Sequence, residues 1–342
     1  MRSIKQIGDI KGKIVIVRVD FNVLIKNGVV EDDFRIKQTL PTIDFLKEKE
    51  AKIILISHRT EKGASLHPVA DYLKIKLVSD FKLGAMENGE VVLLENLRNF
   101  IGEESNNDEF SKKLAKLGDI YVNDDFGTSH REHASIIGIT KYLPSFMGLL
   151  FEKEFKNLSA VFKPQHPFLL ILGGVKFKTK LSVLNKFSNI ADEIFVGGAL
   201  ANNFLKAGGF DIKESIFDPE VDIQKFLNEK KIILPTDFLW HENKILDVGP
   251  ETINNLKNLV SRAQFVLWNG PLGNYENGFD KGTLELAKII SESKAQSIIG
   301  GGDTVAAVKK VGSEKFSFVS TAGGAMLEFL ANGTLPGIKA LE

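Results

Sequence analysis

Short apolar runs alternate with helical patterns along almost the whole chain, and this alternation restricts the fold more than any other feature. Consecutive Val, Ile, Leu and Phe residues are typical of strands that are buried on both faces. Strands that alternate with helices favour parallel sheets with helices on both sides. The predicted strands cover residues 14–19, 52–57, 91–95, 120–123, 168–172, 193–196, 231–234, 264–268, 297–299 and 316–320. We therefore predict an α/β protein.

A junction between two domains is predicted near the middle of the chain. The length of 342 residues is more than one hydrophobic core usually takes. Apolar residues recur at helical spacing at Phe151, Phe155, Leu158 and Phe162, and Pro164 and Pro167 end the pattern. We predict a joining helix over 152–163. Because ligands bind beyond the carboxyl ends of parallel strands, two such edges beside one helix predict a cleft that holds two ligands.

The charge balance argues against a general nucleic-acid or membrane surface. Lys plus Arg and Asp plus Glu are equal at 44 each. There is no cysteine, which fits the cytosol and excludes disulfides and thiolate metal sites. The first six residues, MRSIKQ, contain no apolar signal region, and no apolar run is long enough to span a bilayer. We expect a cytoplasmic protein with small-molecule ligands.

The stretch 168–184, FLLILGGVKFKTKLSVL, combines a strand, a glycine turn and a lysine-rich helix start. Glycine lets a backbone approach a ligand closely, and a helix N-terminus attracts anions. Lysines at that end lie next to the positive end of the helix dipole, which costs free energy unless a bound anion compensates. Phosphate binding and a solvated lysine run both remain open for this stretch alone. The P-loop pattern G-x-x-x-x-G-K-[ST] does not occur in the chain.

Arginines are concentrated in the first half, close to predicted strand ends. Six of the seven arginines lie within the first 131 residues. The strand ends and the following helix start carry Asp20, Asn22, Arg35, His58, Arg59, Arg98, His130 and Arg131. Arginine suits bidentate binding of phosphate or carboxylate, so this pattern predicts a convergent anion site. Salt bridges and an Asx turn at Asp20 are the alternatives. A metal site at His130, His133 and Asp124 has only weak support from spacing.

Glycine turns recur after strands in the second half. Gly197 and Gly198 follow one predicted strand, and the glycines before Asp303 and Thr304 follow another. Three consecutive glycines expose N–H groups to phosphate, and Asp303 is placed to hold a metal that bridges phosphates. A helix cap is the simpler alternative for Asp303.

With these motifs, the chain resembles the phosphoglycerate kinase family along essentially its whole length. The matching blocks are VRVDFNV (17–23), Ser57-His58, LLENLR (93–98), NDDFGTSHREH (123–133), LLILGGVKFKTK (169–180), VLWNGPLGNYE (266–276), IIGGGDT (298–304) and LPGIKAL (335–341). The resemblance implies two Rossmann-like domains joined by a helix, with a cleft between them. It implies a 3-phosphoglycerate domain at 1–151, a nucleotide domain at 164–324 and a segment at 325–342 that returns to the first domain.

The implied activity is reversible, Mg²⁺-dependent phosphoryl transfer between ATP and 3-phosphoglycerate by a monomer. The resemblance assigns catalysis to Arg35 and Lys176 and the metal to Asp303. It assigns substrate binding to Asp20, Phe21, Asn22, Arg35, His58, Arg59, Arg98, His130 and Arg131. It assigns nucleotide binding to Lys180, Gly197, Gly198, Asn269, Pro271, Glu276, Gly301, Gly302, Asp303 and Thr304.

The chain departs from the family pattern at three places. The family reads Ser-His-x-Gly-Arg where this chain reads Ser57-His58-Arg59, so we expect Arg59 to replace the family's arginine; Glu61 or Lys62 at that place is the alternative register. Asp125 stands where the family has a small apolar residue. Ala322 stands where the family has glycine, which costs on the order of 1 kcal/mol if φ is positive there.

Two other functions are alternatives to the kinase. An NAD-dependent dehydrogenase would also have two Rossmann-like domains, but the chain contains no G-x-G-x-x-G. A non-catalytic sensor of phosphorylated ligands would keep the fold, but the presence of Arg35, Lys176 and Asp303 argues against it. Reduction of NAD by hydroxy acids, without any use of ATP, would identify the dehydrogenase.

Overall fold

The computed structural model describes residues 1–61 and 63–342 of the chain. Internal contacts divide the chain into two compact units. The first unit contains Met1–Lys156 and Thr334–Glu342, and the second unit contains Asn157–Gly333. Within the described residues, no helix combines the length and the apolar character that crossing a membrane requires.

The first unit is built on a six-stranded sheet whose strand pairs are all parallel. The elements up to the boundary helix are β1 (Ile14–Arg18), β2 (Ile25–Lys26), β3 (Val29–Val30), α1 (Phe34–Glu48), β4 (Lys52–Ile56), α2 (His67–Leu73), β5 (Lys76–Val78), β6 (Val91–Leu94), α3 (Asp108–Ala115), β7 (Ile120–Asn123), β8 (Ser145–Met147) and α4 (Leu149–Ala160). The spatial order of the sheet is β5-β6-β4-β1-β7-β8, and β2 pairs with β3 in a separate hairpin.

The second unit has a second six-stranded parallel sheet. Its elements are β9 (Phe168–Leu172), α5 (Phe177–Phe187), β10 (Glu193–Val196), α6 (Gly198–Ala207), β11 (Ile232–Ile233), β12 (Phe238–His241), β13 (Lys244–Val248), α7 (Pro250–Arg262), β14 (Phe265–Asn269), α8 (Lys281–Ser291), β15 (Gln296–Gly300), α9 (Gly302–Val311), β16 (Phe318–Val319) and α10 (Gly324–Asn332). The order is β11-β10-β9-β14-β15-β16, and β12 and β13 form an antiparallel pair. The last helix, α11 (Pro336–Lys339), belongs to the first unit.

Each central strand is buried along its length, which explains the unbroken apolar runs of the sequence. All five residues of β9 and of β14 are buried. Full burial of a Leu, Ile or Phe side chain contributes roughly 1.5–3 kcal/mol, so these strands hold their positions firmly. Separate hydrophobic clusters, one containing Val17 and Ile53 and the other Ile171 and Trp268, form the two cores.

The strand registers bring the predicted site residues to one edge of each sheet. In the first unit Arg18, at the end of β1, lies opposite Ile56 of β4 and Asn123 of β7. In the second unit Leu172 of β9 pairs with Val196 and Asn269, and Asn269 pairs with Gly300. The residues that follow these strand ends therefore lie side by side, as expected for parallel sheets.

The predicted α/β class with parallel sheets is confirmed, and the bounds differ in detail. The strands at 120–123, 168–172 and 193–196 have the predicted limits. The joining helix α4 begins three residues earlier than predicted and ends at Ala160, because the buried Asp124 carboxylate accepts hydrogen bonds from the N–H groups of Leu150 and Phe151 at the helix start. The terminal segment that lies in the first unit begins at Thr334 rather than at 325, because α10 packs against α5 in the second unit.

Candidate active site

The edge of the first sheet carries an ion pair between Arg35 and Asp20. Arg35 lies at the start of α1, and its Nη1 is 2.9 Å from Asp20 Oδ2 and donates to the Asn22 carbonyl at 3.0 Å. The nearby Asp20 carboxylate raises the pKa of Arg35. The Arg35 side chain keeps about a third of its surface exposed, at 34%. This guanidinium is therefore oriented by the protein and still accessible to a ligand.

Asn22 and Phe21 have different surroundings although they are neighbours. The Asn22 side chain exchanges two hydrogen bonds with Thr60, at 2.8 and 3.2 Å. Sequence reasoning missed Thr60. The Phe21 ring is fully buried in the core of the first unit, and its N–H donates to Ser57 Oγ at 2.9 Å. Any contact of Phe21 with substrate would therefore involve its backbone.

A buried charged network underlies this edge. Arg18 is fully buried; its Nη1 lies 2.8 Å from Asp125 Oδ2 and its Nη2 lies 3.1 Å from His58 Nδ1. Burial and the Arg18 charge hold the pKa of His58 well below its usual value. Glu103 is also buried and accepts from Ser135 N–H and Oγ–H, and burial raises its pKa. Arg18 and Asp125 lie in blocks that match the family but are not among the predicted site residues.

Positive charges crowd around this network. Burial and the Arg131 charge lower the pKa of Arg98, and burial together with Arg98 lowers the pKa of His133 to about 3. Arg98 pairs with Glu104, Arg131 is exposed, and His130 is half-buried. Like charges this close raise the free energy of the unliganded protein, and a bound anion relieves that repulsion. The predicted arginine-rich set is thus in one region, where it forms a candidate anion site.

Arg59 is more enclosed than an accessible phosphate ligand would be. Its side chain is 10% exposed, with Nη1 donating to the Val23 carbonyl at 3.2 Å and Nη2 3.0 Å from Glu61. Its Nε is buried and has no hydrogen-bond partner among the described residues. Lys62, the alternative in the other register, lies outside the described residues, so the assignment of Arg59 stays a prediction.

Asp20, His58 and Asp125 bring three possible metal-ligand atoms within 4.8 Å of one another. Both carboxylates already pair with arginines, Asp20 with Arg35 and Asp125 with Arg18. A cation would have to compete with these guanidinium groups. We therefore assign no metal to this cluster.

In the second unit, four helices begin at the edge of one cavity of about 580 Å³. These helices are α5, α6, α9 and α10, and none has a side-chain N-cap hydrogen bond among the described residues. Uncapped first-turn N–H groups carry the positive end of the helix dipole. The cavity is therefore suited to a ligand with several phosphates.

Glycine is required where the cavity loops touch. Gly198 has φ +59°, and a Cβ there would lie 2.3 Å from the Gly174 nitrogen. Gly270 has φ +99°, and its Cβ would lie 2.2 Å from the Gly173 carbonyl oxygen. The Pro271 carbonyl also joins these two loops, because it accepts a hydrogen bond from Gly174 N–H at 2.8 Å. At both positions a side chain would clash with the neighbouring backbone, and the positive φ is a conformation that glycine adopts far more readily than other residues.

Two lysines supply the cationic side chains of the cavity. Lys176 precedes α5 and Lys180 lies in its first turn. Lys180 is 3% exposed, and burial together with the Lys176 charge lowers its pKa to about 8. A phosphate beside Lys180 would raise this pKa again, because an opposite charge favours the charged form of an amine.

Asp303 lines the cavity and is the carboxylate for which a metal role is predicted. It lies in the first turn of α9, where burial and the Glu276 charge raise its pKa. A neighbouring cation would offset both effects, so the residue fits the predicted metal role. Glu276 also lines the cavity, and the Thr304 hydroxyl accepts from Gly270 N–H at 2.9 Å. Thr304 and Asn269 are buried and position the loops.

Apolar residues also line this cavity. They include Ile216, Pro235, Phe238, Leu246 and Leu327. The helix N-termini suit the phosphates of a nucleotide, and the apolar residues suit its base. Ala322 does not have a positive φ, whereas the adjacent Gly323 does, at +54°. The expected cost of alanine at 322 therefore does not arise.

The fold and the two sites define a class of α/β phosphotransferases that bind phosphorylated ligands at the edges of two parallel sheets. A family model described as phosphoglycerate kinase matches residues 4–333. This chain belongs to the phosphoglycerate kinase family, which excludes the dehydrogenase alternative.

Individual relatives agree with the family model over nearly the full length. A phosphoglycerate kinase of Borrelia garinii subsp. bavariensis is 40% identical over 390 aligned positions, covering 100% of this chain and 99% of the relative. One from Leptospira biflexa is 41% identical, with 97% and 96% covered. The solved structure of phosphoglycerate kinase from Coxiella burnetii has a TM-score of 0.85 and 38% identity over 97% of each chain. That from Pyrococcus horikoshii has a TM-score of 0.87 and 30% identity, with 100% and 98% covered.

Proposed function

We propose that this chain transfers a phosphoryl group reversibly between ATP and the carboxylate of 3-phosphoglycerate, giving ADP and 1,3-bisphosphoglycerate. The observation that carries the proposal is the pairing of an arginine-rich anion site in the first unit with a cavity of uncapped helix starts in the second. The first site binds phosphoglycerate, and the second binds ATP or ADP. The family membership supports the same reaction.

The reaction needs no covalent enzyme intermediate and no general base. A carboxylate is ionised at neutral pH, so its oxygen can attack the terminal phosphorus directly. The new bond joins that oxygen to phosphorus, while the bond from phosphorus to the ADP oxygen breaks. Catalysis then consists of positioning the two ligands and neutralising charge at the transferring group.

The charged residues divide this work between them. Arg35, oriented by Asp20, and Lys176 both neutralise charge near the transferring phosphoryl group. Lys180 and the glycine loops hold the nucleotide phosphates. Asp20, Asn22, His58, Arg98 and Arg131 hold phosphoglycerate, with His130 in the surrounding basic region.

Asp303 would hold Mg²⁺, which supplies charge neutralisation between the nucleotide phosphates. Asp303→Asn should raise the Mg²⁺ concentration needed for half-maximal activity by about tenfold to hundredfold, by analogy with other residues that support metal sites. Isothermal titration should show weaker MgADP binding and unchanged 3-phosphoglycerate binding without nucleotide. Equal weakening of both ligands would mean that Asp303 supports the fold rather than the metal.

A coupled ADP-release assay with ATP, Mg²⁺ and 3-phosphoglycerate tests the proposal directly. We expect ADP release only when all three are present. If protein that is shown to be folded releases no ADP, the proposed reaction is wrong. Binding of both ligands without turnover would identify a sensor. We also propose a cytoplasmic monomer, which size-exclusion chromatography with light scattering tests for its oligomeric state.

A further inference from the structure

The buried Arg18 side chain is committed to the protein and cannot act as a substrate ligand. Beyond its contacts with Asp125 and His58, Nε donates to Ser135 Oγ at 3.0 Å and Nη2 lies 3.4 Å from Thr128 Oγ1. The residue is 0% exposed. A charged group held so completely inside a protein must act through its neighbours, and one of these neighbours is His58.

The contact between Arg18 and His58 determines which ring nitrogen carries the proton. A guanidinium has N–H donors and no acceptor, so His58 Nδ1 must accept the hydrogen bond from Nη2 at 3.1 Å. A neutral imidazole that accepts at Nδ1 carries its proton on Nε2. His58 therefore has an Nε2–H donor and no net charge.

The charges around His58 support the neutral form. Burial lowers the pKa of His58 most, followed by the Arg18 charge; Asp125 raises this pKa by less than Arg18 lowers it, and Arg98 and Arg131 lower it further. A ligand-capable atom of Asp20 also lies within 4.8 Å of one of His58. Because His58 is 4% exposed, burial adds to the effect of the three arginines.

Asp125 is the residue that holds Arg18 in place. Its Oδ2 lies 2.8 Å from Arg18 Nη1 and accepts from Thr128 Oγ–H at 2.6 Å, while its Oδ1 accepts from Thr128 N–H at 2.9 Å. Both charged side chains are fully buried. The carboxylate therefore fixes the plane of the guanidinium that faces His58.

We propose that Arg18 and Asp125 are positioning residues, which fix His58 as a neutral Nε2–H donor for an oxygen atom of the acid substrate. The proposal rests on the proposed function for the identity of that substrate. It also gives Asp125 a role that the family pattern does not supply, because the family has a small apolar residue at this position. His58 then contributes a directional hydrogen bond to substrate binding, and the surrounding arginines contribute positive charge.

The tautomer can be measured on the full-length protein without any ligand. Long-range ¹H–¹⁵N spectra of ¹⁵N-histidine protein, with His58 assigned from His58→Gln, should show an Nε2–H imidazole that stays neutral from pH 8 to pH 5. An Nδ1–H imidazole, or an imidazolium at pH 7, would overturn the proposal. Because no turnover is involved, this result is independent of whether the proposed reaction occurs.

The double variant Arg18→Met/Asp125→Ala tests the positioning role. It removes a positive and a negative charge together, so neither Arg18 nor Asp125 is left as a buried charge without its partner. We expect mixed His58 tautomers and about two- to tenfold weaker 3-phosphoglycerate binding, with MgADP binding unchanged as evidence of folding. Asp125→Asn keeps an oxygen acceptor for Arg18 and should retain the wild-type tautomer. An unchanged His58 spectrum and unchanged affinity in the double variant would contradict the proposal.

Discussion

The two units approach anion binding with different chemical groups. The first unit uses side chains: Arg35 is paired with Asp20, and a buried arginine pairs with a buried aspartate beneath His58. The second unit uses backbone, with four uncapped helix starts and close contacts between glycine loops. A small acid needs orientation by a few directional donors, whereas a chain of phosphates can be held by many N–H groups. Side-chain truncation should therefore damage the first site, and added Cβ atoms should damage the second.

Removal of the Arg35 side chain should have the largest effect. Arg35→Ala should lower kcat/KM by about 10²-fold or more, because charge at the transferring group is no longer neutralised; arginines in other phosphoryl transfers contribute ~10³–10⁵. Steady-state kinetics measure this. Arg262→Ala is the control, since Arg262 is an exposed arginine paired with Glu193. Equal activities of the two variants would place Arg35 outside the reaction.

Arg59→Ala tests a second arginine of the first unit. If its guanidinium binds the substrate phosphate, the loss of charge-assisted hydrogen bonds should cost roughly 1.5–3 kcal/mol, about a tenfold to hundredfold change in affinity. Isothermal titration should show this for 3-phosphoglycerate and little change for ATP. A larger loss in Lys62→Ala would mean that the alternative register is correct. Little change in either variant would leave Arg59 a structural partner of Val23 and Glu61.

Gly198→Ala tests the backbone site. The new Cβ would meet the Gly174 nitrogen at 2.3 Å, so the loop must move away from the nucleotide. We expect MgADP affinity to fall by about tenfold or more, since positive φ alone costs an L-residue about 1–2 kcal/mol and the contact adds to this. Gly209→Ala is a matched control: Gly209 has φ +85° and nothing within 4 Å of the added Cβ. Thermal unfolding should show strain in both variants, but only Gly198→Ala should weaken nucleotide binding.

The pH dependence of nucleotide binding should report Lys180. Because burial and Lys176 lower its pKa to about 8, Lys180 is charged below that pH and neutral above it. Phosphate favours the charged form, so the Kd of ADP should rise by about tenfold from pH 7 to pH 9. Lys180→Met should lose this dependence, and Lys178→Met, at an exposed lysine paired with Glu220, should retain it. A pH-independent Kd in the wild-type protein would show that Lys180 does not bind the phosphates.

The sequence was sufficient for the central strands and the glycine turns because both depend on local chemistry. Apolar runs bounded by breakers gave the limits of β7, β9 and β10. The three-residue edge strands β5 and β8 and the β12–β13 pair were missed. The β5 strand and the β12–β13 pair are partly exposed, and β8, although buried, is too short to give a run of apolar residues. The Arg18 network was also missed. Its side-chain partners lie 40 residues away or more along the chain, so only the fold brings them together.

Hydrogen–deuterium exchange with each ligand alone tests the central claim of two differently built sites. MgADP should protect the amides that begin α5, α6, α9 and α10 in the second unit and leave residues 18–23 and 57–60 unchanged. 3-Phosphoglycerate should protect residues 18–23 and 57–60 and leave the starts of the four helices unchanged. Protection of the same unit by both ligands would contradict the account.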